Sequence, residues 1–393
     1  MSRECRLPRV VGGGAVGVTA ALALAERGAD VTLYEREDLA SGASGRAAGI
    51  VYDAFAEDRD AAIAARALER FRALDDAGAV SLTSHPYVWL AREGDDSATE
   101  VIREQAPRMR EHGRDVALLS AADLDRRFPA LATDRVAVAA VANDAGYLDP
   151  PSYVTAMGQR ARESGANICT GVAARLDDSD PTTVRTPDGS ERFDAVLVAA
   201  GAHSARVLAD AGYAIAMKPY RVQALVTTPL SAAENGGRGL DATAVPTTYD
   251  ATGGYSLRPY QGGLLVGDGT EEREFDPDDY DETADGAFCE GSLARVRSTL
   301  AGEVPDLSVR RAWAGLCTAT PDRNPLVGPV DTGLFVATGW HGHGFMRAPA
   351  LGETVAEQVL GGEGVRAFDP RRFDGDERFD VIEGMTVDEY SSY

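Results

Sequence analysis

The first forty residues set short apolar runs against a helix of small residues. Val10-Val11 ends a buried strand, Val18 to Arg27 is an alanine–leucine helix stopped by Gly28, and Val31 to Tyr34 is a second strand. Gly12-Gly13-Gly14-Ala15-Val16-Gly17 lies between the first strand and the helix, so a complete strand–helix–strand unit closes within about 30 residues. Asp60 to Ala77 reads as an amphipathic helix, with Ile63, Ala67, Phe71 and Leu74 on one face and Gly78 as its stop. Ser97 and Glu100 have the spacing of a capping box, and Pro150-Pro151 opens a helix ending near Ser164. Thr183 to Thr186 and Phe193 to Val198 flank Pro187-Asp188-Gly189, the pattern of a hairpin.

Strand-like runs recur in the middle of the chain at Val222 to Thr227, Tyr255 to Leu257 and Leu264 to Val266. Asp276 to Asp285 reads as an acidic, solvated loop, and Ala287 to Leu300 as a helix. Leu334 to Gly339 is a last buried strand, Arg347 to Leu360 a last helix, and the chain from Phe373 an acidic tail of little order. The fold class is α/β. A Rossmann-like dinucleotide-binding domain is expected from residues 1–80, 145–218 and 312–365. A second, α+β domain on a mixed or antiparallel sheet is expected from 81–144 and 219–311, followed by an acidic tail at 366–393.

Charge narrows the partners. The 393 residues carry a net charge of −23, which argues against nucleic acid and anionic membrane surfaces, both of which attract basic proteins. Lys218 is the lone lysine among 39 basic residues. This acidic, arginine-over-lysine composition suits a halophile's cytoplasm, where molar salt cuts the screening length to about 3 Å. Cys5, Cys169, Cys289 and Cys317 show no metal or disulfide spacing, which also fits a cytoplasmic location and gives no metal site. Val10 to Ala25 is uncharged enough to read as a signal peptide, but three consecutive glycines suit a phosphate loop better, and no other stretch has the length of a membrane span.

The chemistry starts at Gly12-x-Gly14-x-x-Gly17. The first glycine permits the turn, the second lets backbone N–H groups approach a pyrophosphate, and the third lets helix and strand pack closely. Ala15 and Val16 open the helix whose N-terminus faces the phosphates. Glu35, 18 residues past Gly17, stands where an acid receives a ribose hydroxyl. Glycine-rich turns recur far downstream, at Ala199-Ala200-Gly201 and at Gly339-Trp340-His341-Gly342-His343-Gly344. Several close backbone approaches suit a flat, bulky ring, which favours FAD over NAD.

These stretches, with SGASGRAAG, AGYLDPPSYV, YSLRPYQGGLLVG and WAGLCTATPDRNPLVGP, resemble the D-amino-acid oxidase superfamily of FAD enzymes. The members most similar in look are sarcosine oxidase β-type, dimethylglycine dehydrogenase and dye-linked proline dehydrogenase β-type proteins. The resemblance implies the glutathione-reductase type of FAD-binding fold and a cofactor site reaching beyond the glycine loop. It adds Arg36, the segment with Ser41, Ser44, Arg46, Ala48 and Gly49, then Val172, Ala200, Gly201 and Gly315. It also adds Gly339, His341, Gly342, His343, Gly344, Phe345 and Met346.

Departures from the family sharpen the expectation. Gly315 stands where monomeric sarcosine oxidases attach flavin through cysteine, so FAD is expected to be non-covalent. Gly315-Leu316-Cys317 replaces the Gly-Leu-Arg of D-amino-acid dehydrogenases and glycine oxidases, whose arginine grips a carboxylate. Met346 replaces a lysine, and a methionine offers no cation to a developing oxygen anion, which favours a dehydrogenase. Arg347 either supplies that charge or is a solvated helix residue.

The expected reaction is oxidation of the C–N bond of a small amino acid or of an N-methylated or secondary amine, by hydride transfer to flavin. The electron acceptor is unknown. Arg258 is the first choice for the substrate carboxylate, ahead of Arg46, Arg221 and Arg347. Tyr255, His341 and His343 complete the catalytic candidates. Alternatives are a D-amino-acid or 2-hydroxyacid dehydrogenase, a flavoprotein subunit of a hetero-oligomeric amine dehydrogenase, a homo-oligomer, or a redox-sensing module.

Overall fold

The computed structural model describes residues 7–230, 240–302 and 306–382; Cys5 and the end of the expected tail, 383–393, lie outside them. Two large sheets organise the chain. The first has six strands in the order 326–331, 334–338, 195–198, 8–11, 32–34, 167–169. Five are parallel, and Leu326–Asp331 is the antiparallel edge. The strand Pro8–Val11 is fully buried, as parallel strands covered on both faces are; its one polar side chain, Arg9, donates to the Asp30 carbonyl at 3.0 Å and lies 3.9 Å from the Phe193 ring. The strand lies at the centre, between the strands Ala195–Val198 and Thr32–Tyr34.

The helix Ala15–Glu26 is buried along nearly its whole length. It is wedged between the helices Pro150–Glu163 and Gly344–Val359, which explains its small residues. The segment that could be read as a signal peptide is therefore the centre of the largest core cluster. Among the described residues no helix is long and apolar enough to cross a membrane.

The second sheet has eight strands, ordered 309–319, 218–227, 263–271, 255–260, 247–250, 87–92, 136–142, 116–119. One pair, Thr247–Asp250 with Tyr87–Arg92, is parallel and the rest are antiparallel. The strand Val309–Ala319 runs the full length of this sheet's edge. It therefore crosses position 312, where the sequence suggested a return to the cofactor domain.

Three local expectations are corrected. Asp95, not Ser97, caps the helix Asp96–Glu111, accepting the Ala98 N–H at 3.0 Å. The Pro187-Asp188 turn pairs Thr183–Thr186 with Gly189–Arg192, while Ala195–Val198 leaves for the parallel sheet. The tail packs as far as Val381, which is buried beside Tyr220 and Ala319, and Phe379 lies 4.6 Å from the Lys218 ammonium.

Candidate functional site

The strands 8–11, 32–34, 195–198 and 334–338 are parallel, so their C-terminal ends open on one edge. Gly12, Glu35, Ala199 and Gly339 are the first residues past those ends, in the position where open parallel sheets take their ligands. Gly12 has φ +116°, and a Cβ there would lie 2.4 Å from the Ala199 carbonyl oxygen. A Cβ on Gly17 would lie 2.0 Å from the Gly12 oxygen, whereas Gly14 meets only the Ser44 hydroxyl at 3.1 Å. Gly12 and Gly17 are thus fixed by packing, and Gly14 leaves an approach open.

Glu35 is held over this loop. Its carboxylate accepts the Gly13 N–H at 2.7 Å and the Glu37 N–H at 2.9 Å, while its carbonyl accepts the Val172 N–H at 2.9 Å. Ser44 reaches the same helix end, accepting the Ala15 N–H at 2.9 Å. The side chains of Ala15, Val16, Phe345 and Met346 are buried in the core, so backbone is what these residues offer a ligand.

Two helices begin at this edge, and in the first of them Ser44 takes the Ala15 N–H. Gly14 caps the first helix and His343 the last, neither with a side-chain hydrogen bond and neither with an acid in the first turn. Such ends favour anions. Gly342 has φ +80° and open space at its Cβ position, and Gly201 has φ +55° with the same freedom. Gly339 is packed on Thr320 and Gly344 on Trp340. The glycine cradle, the anchored acid and the two helix N-termini fit an elongated diphosphate cofactor carrying a flat ring.

Arg46 donates to the Ser41 carbonyl and, at 2.8 Å, to Glu282. A Cβ on Gly315 would lie 3.0 Å from the Arg46 Cδ, so the missing side chain there makes room for this arginine. Gly49 has φ +72° and abuts the Leu148 carbonyl. Ala48 uses its carbonyl to accept the Arg258 Nε–H at 2.5 Å.

Arg258 is 3% exposed. Its Nη1 donates to the Pro259 carbonyl at 2.8 Å, and its guanidinium lies over Tyr147 and Tyr260 at 4.6 and 5.1 Å. Among the described residues no carboxylate lies within ion-pairing distance of it, and Nη2 has no hydrogen-bond partner. Burial pulls its pKa down to about 10, so it stays charged near neutrality.

Tyr255 does not join it. Three residues apart on one strand puts the two on opposite faces. Tyr255 packs in the second core cluster, with its hydroxyl on Thr299 of the helix Gly286–Thr299. Arg221 is likewise committed, to Glu271 and, at 3.2 Å, to Asp285. Arg347 is 2% exposed rather than solvated; it pairs with buried Asp60 at 3.0 Å and lies 5.1 Å from the Phe55 ring.

The two histidines differ. His341, at φ +45°, accepts the Thr320 N–H through Nε2 at 2.7 Å, which ties the last strand's exit to the larger sheet. His343 directs Nδ1 to the His341 carbonyl at 2.8 Å. A carbonyl only accepts, so Nδ1 carries the proton and Nε2 keeps its lone pair. Burial lowers both to about 4, with His343 and Arg323 adding to the shift of His341, and Arg347 to that of His343.

The sequence reading missed an aromatic wall beside His343. Tyr52 stacks on Tyr87 at 4.6 Å and on Phe55 at 5.1 Å, and Phe55 meets the His343 ring edge-on at 6.3 Å. Burial pushes the Tyr52 hydroxyl up to about 12. The signal was present: Tyr52 ends the strand Ile50–Tyr52, directly after the glycine segment.

The acidic loop is solvent-exposed, as expected, and its acids also make ion pairs. Asp278 accepts from His203 at 2.8 Å and Arg36 at 3.2 Å, and pairs with Arg206; Asp276 pairs with Arg206 at 2.6 Å. Glu282 holds Arg46, as above.

Residues 10–358 match the family described as DAO, FAD dependent oxidoreductase. The FAD-dependent oxidoreductase domain-containing protein 1 of Xenopus laevis is 30% identical over 327 residues, 73% of this chain and 63% of that protein. The chain thus spans less than two thirds of that relative's length. Glycine oxidase of Geobacillus kaustophilus is 26% identical over 368 residues, 89% of this chain and 92% of that enzyme. The crystal structure of L-proline dehydrogenase from P. horikoshii superposes with a TM-score of 0.82 at 26% identity, covering 94% of this chain and 98% of that one. With the glycine cradle and helix ends described above, these matches make the chain a member of the DAO family of FAD-dependent oxidoreductases.

Proposed function

We propose that the chain is a dehydrogenase that oxidises the C–N bond of a small amine bearing a carboxylate, an amino acid or its N-alkylated or cyclic form. The observation that carries this reading is Arg258: a buried, charged guanidinium with an open Nη2 and no acidic partner among the described residues, fixed to the segment that flanks the cofactor site. Such a group is costly to bury unless an anion completes it, and a carboxylate does so. The names of the similar proteins, glycine oxidase and proline dehydrogenase, agree with that substrate class.

FAD, when bound, accepts the hydride that leaves the substrate carbon. As that C–H bond breaks, the nitrogen lone pair forms a C=N bond; water then adds and releases a carbonyl compound and an amine. Arg258 orients the carboxylate. His343, neutral, accepts a hydrogen bond at Nε2 from the substrate nitrogen instead of repelling it. The aromatic wall of Tyr52, Phe55 and Tyr87 excludes water and accommodates an alkylated or ring nitrogen through its π faces. The N-terminus of the last helix, which His343 does not cap with its side chain, would favour negative charge on a flavin ring bound beside it.

The preference for a dehydrogenase rests on the cations near that helix. Met346 is apolar and core-packed, and Arg347 is neutralised by Asp60. Anaerobic bleaching of the flavin against sarcosine, proline, glycine, D-alanine and 2-hydroxyglutarate tests the reading. Bleaching by the amines with slow oxygen uptake and fast dye reduction supports it; bleaching by 2-hydroxyglutarate alone overturns it.

A further inference from the structure

Asp278 touches both sides of the glycine loop. Arg36 follows the strand 32–34 and His203 follows the strand 195–198; these strands flank the central strand 8–11, whose exit is Gly12. A carboxylate joined to both therefore crosses over the loop that cradles the diphosphate. Four residues further on, Glu282 is joined to Arg46, beside Gly315. The acidic segment thus lies along the seam between the two sheets.

Its base is fastened to the larger sheet. The Phe275 N–H donates to the Pro219 carbonyl at 2.9 Å, and the Arg221 Nε–H to the Asp281 carbonyl at 2.8 Å. The Asp285 N–H donates to Gln223 at 2.7 Å, and the Ala314 N–H to the Glu282 carbonyl at 2.7 Å. Arg221, which holds the base, is buried, whereas Arg36, Arg206, Asp276 and Asp278 at the far end are about half exposed. One end is built to stay and the other to let go.

We propose that residues 275–285 form a strap that retains FAD by ion pairs across the mouth of its site, and that the release rate of FAD is set by the Asp278 contacts to Arg36, His203 and Arg206. Simple electrostatics gives the opposite sign for one test. Removing an acid near an anionic diphosphate strengthens the cofactor's attraction and slows its release. Removing a latch speeds it.

The experiment measures FAD release from the holoprotein by the rise of flavin fluorescence after dilution, at 0.1 M and 1 M NaCl, for wild type, Asp278→Asn, Arg206→Gln and the double variant. We expect each single variant to release FAD about fivefold faster than wild type at low salt, the worth of a partly exposed ion pair. The ratio should fall toward one at high salt as screening opens the wild-type strap. The double variant should release FAD more slowly than the product of the two single effects predicts, because both singles remove the shared Asp278–Arg206 pair. Asp188→Asn, on the exposed hairpin turn, should match wild type. Release that is unchanged or slower in Asp278→Asn overturns the strap, as does a ratio that stays the same at both salt concentrations. Arg206→Gln supplies the answer should Asp278→Asn fail to fold.

Discussion

Arg258 donates its Nε–H to the carbonyl of Ala48 at 2.5 Å, which joins the larger sheet to the glycine-rich segment beside the cofactor site. That bond fixes the guanidinium. Among the described residues Nη2 has no hydrogen-bond partner, and there we propose that the substrate carboxylate binds. Arg258→Met should raise the KM for carboxylated amines about 10- to 100-fold, the worth of a hydrogen bond to a charged group. An amine lacking a carboxylate should lose far less. Steady-state kinetics on a matched pair of substrates checks this; equal losses on both would assign Arg258 to packing.

Gly17 is held against the Gly12 carbonyl. Gly17→Ala places a methyl group 2.0 Å from that oxygen, so the loop must shift away from the helix that supports it. The expected outcome is a colourless protein with an unfolding free energy lower by about 1–3 kcal/mol. Absorbance of the purified variant, with and without added FAD, reads both.

Arg347 and Asp60 are 2% and 3% exposed at the side chain. Arg347→Met leaves Asp60 facing Arg59 alone, at 3.3 Å. Breaking a buried pair on one side costs about 3–5 kcal/mol, which urea unfolding should show as a lower midpoint. Replacing both partners by apolar residues should recover part of the loss.

His341 and His343 are both held near a pKa of 4 by burial, below the ordinary value of 6.5. The unfolded chain therefore takes up protons that the folded chain refuses as pH falls from about 6.5 to about 4. Their contribution is complete above pH 6.5 and is lost through that window. The melting temperature should fall across it, and His343→Gln should flatten the slope.

The cofactor half was legible because its signal is local. A glycine spacing, an acid 18 residues on and two short apolar runs all lie within one supersecondary unit. The hairpin at 187–188 was legible as a turn, but the choice of partner strand was not. Gly189–Arg192 is polar and exposed, while Ala195–Val198 is apolar and is claimed by the parallel sheet. Tyr255 could have been rejected from sequence, since an odd separation from Arg258 on one strand forbids a shared face. Asp95 and Ser97 compete as caps on equal terms, and only the backbone at 95 settles it. The acidic loop was legible as exposed, but its partners were not, because Arg36 and Arg46 lie 242 and 236 residues away from the acids they bind.

The central strand has one consequence for biogenesis. Pro8–Val11 pairs with Ala195–Val198, which in turn pairs with Leu334–Thr338. A ribosome must therefore deliver about half of the polypeptide before the first strand has both of its neighbours, and most of it before the sheet is closed by the strand 334–338. Until then the apolar N-terminal unit is exposed to misassociation, so chaperone demand should track the time between synthesis of its first and last strands.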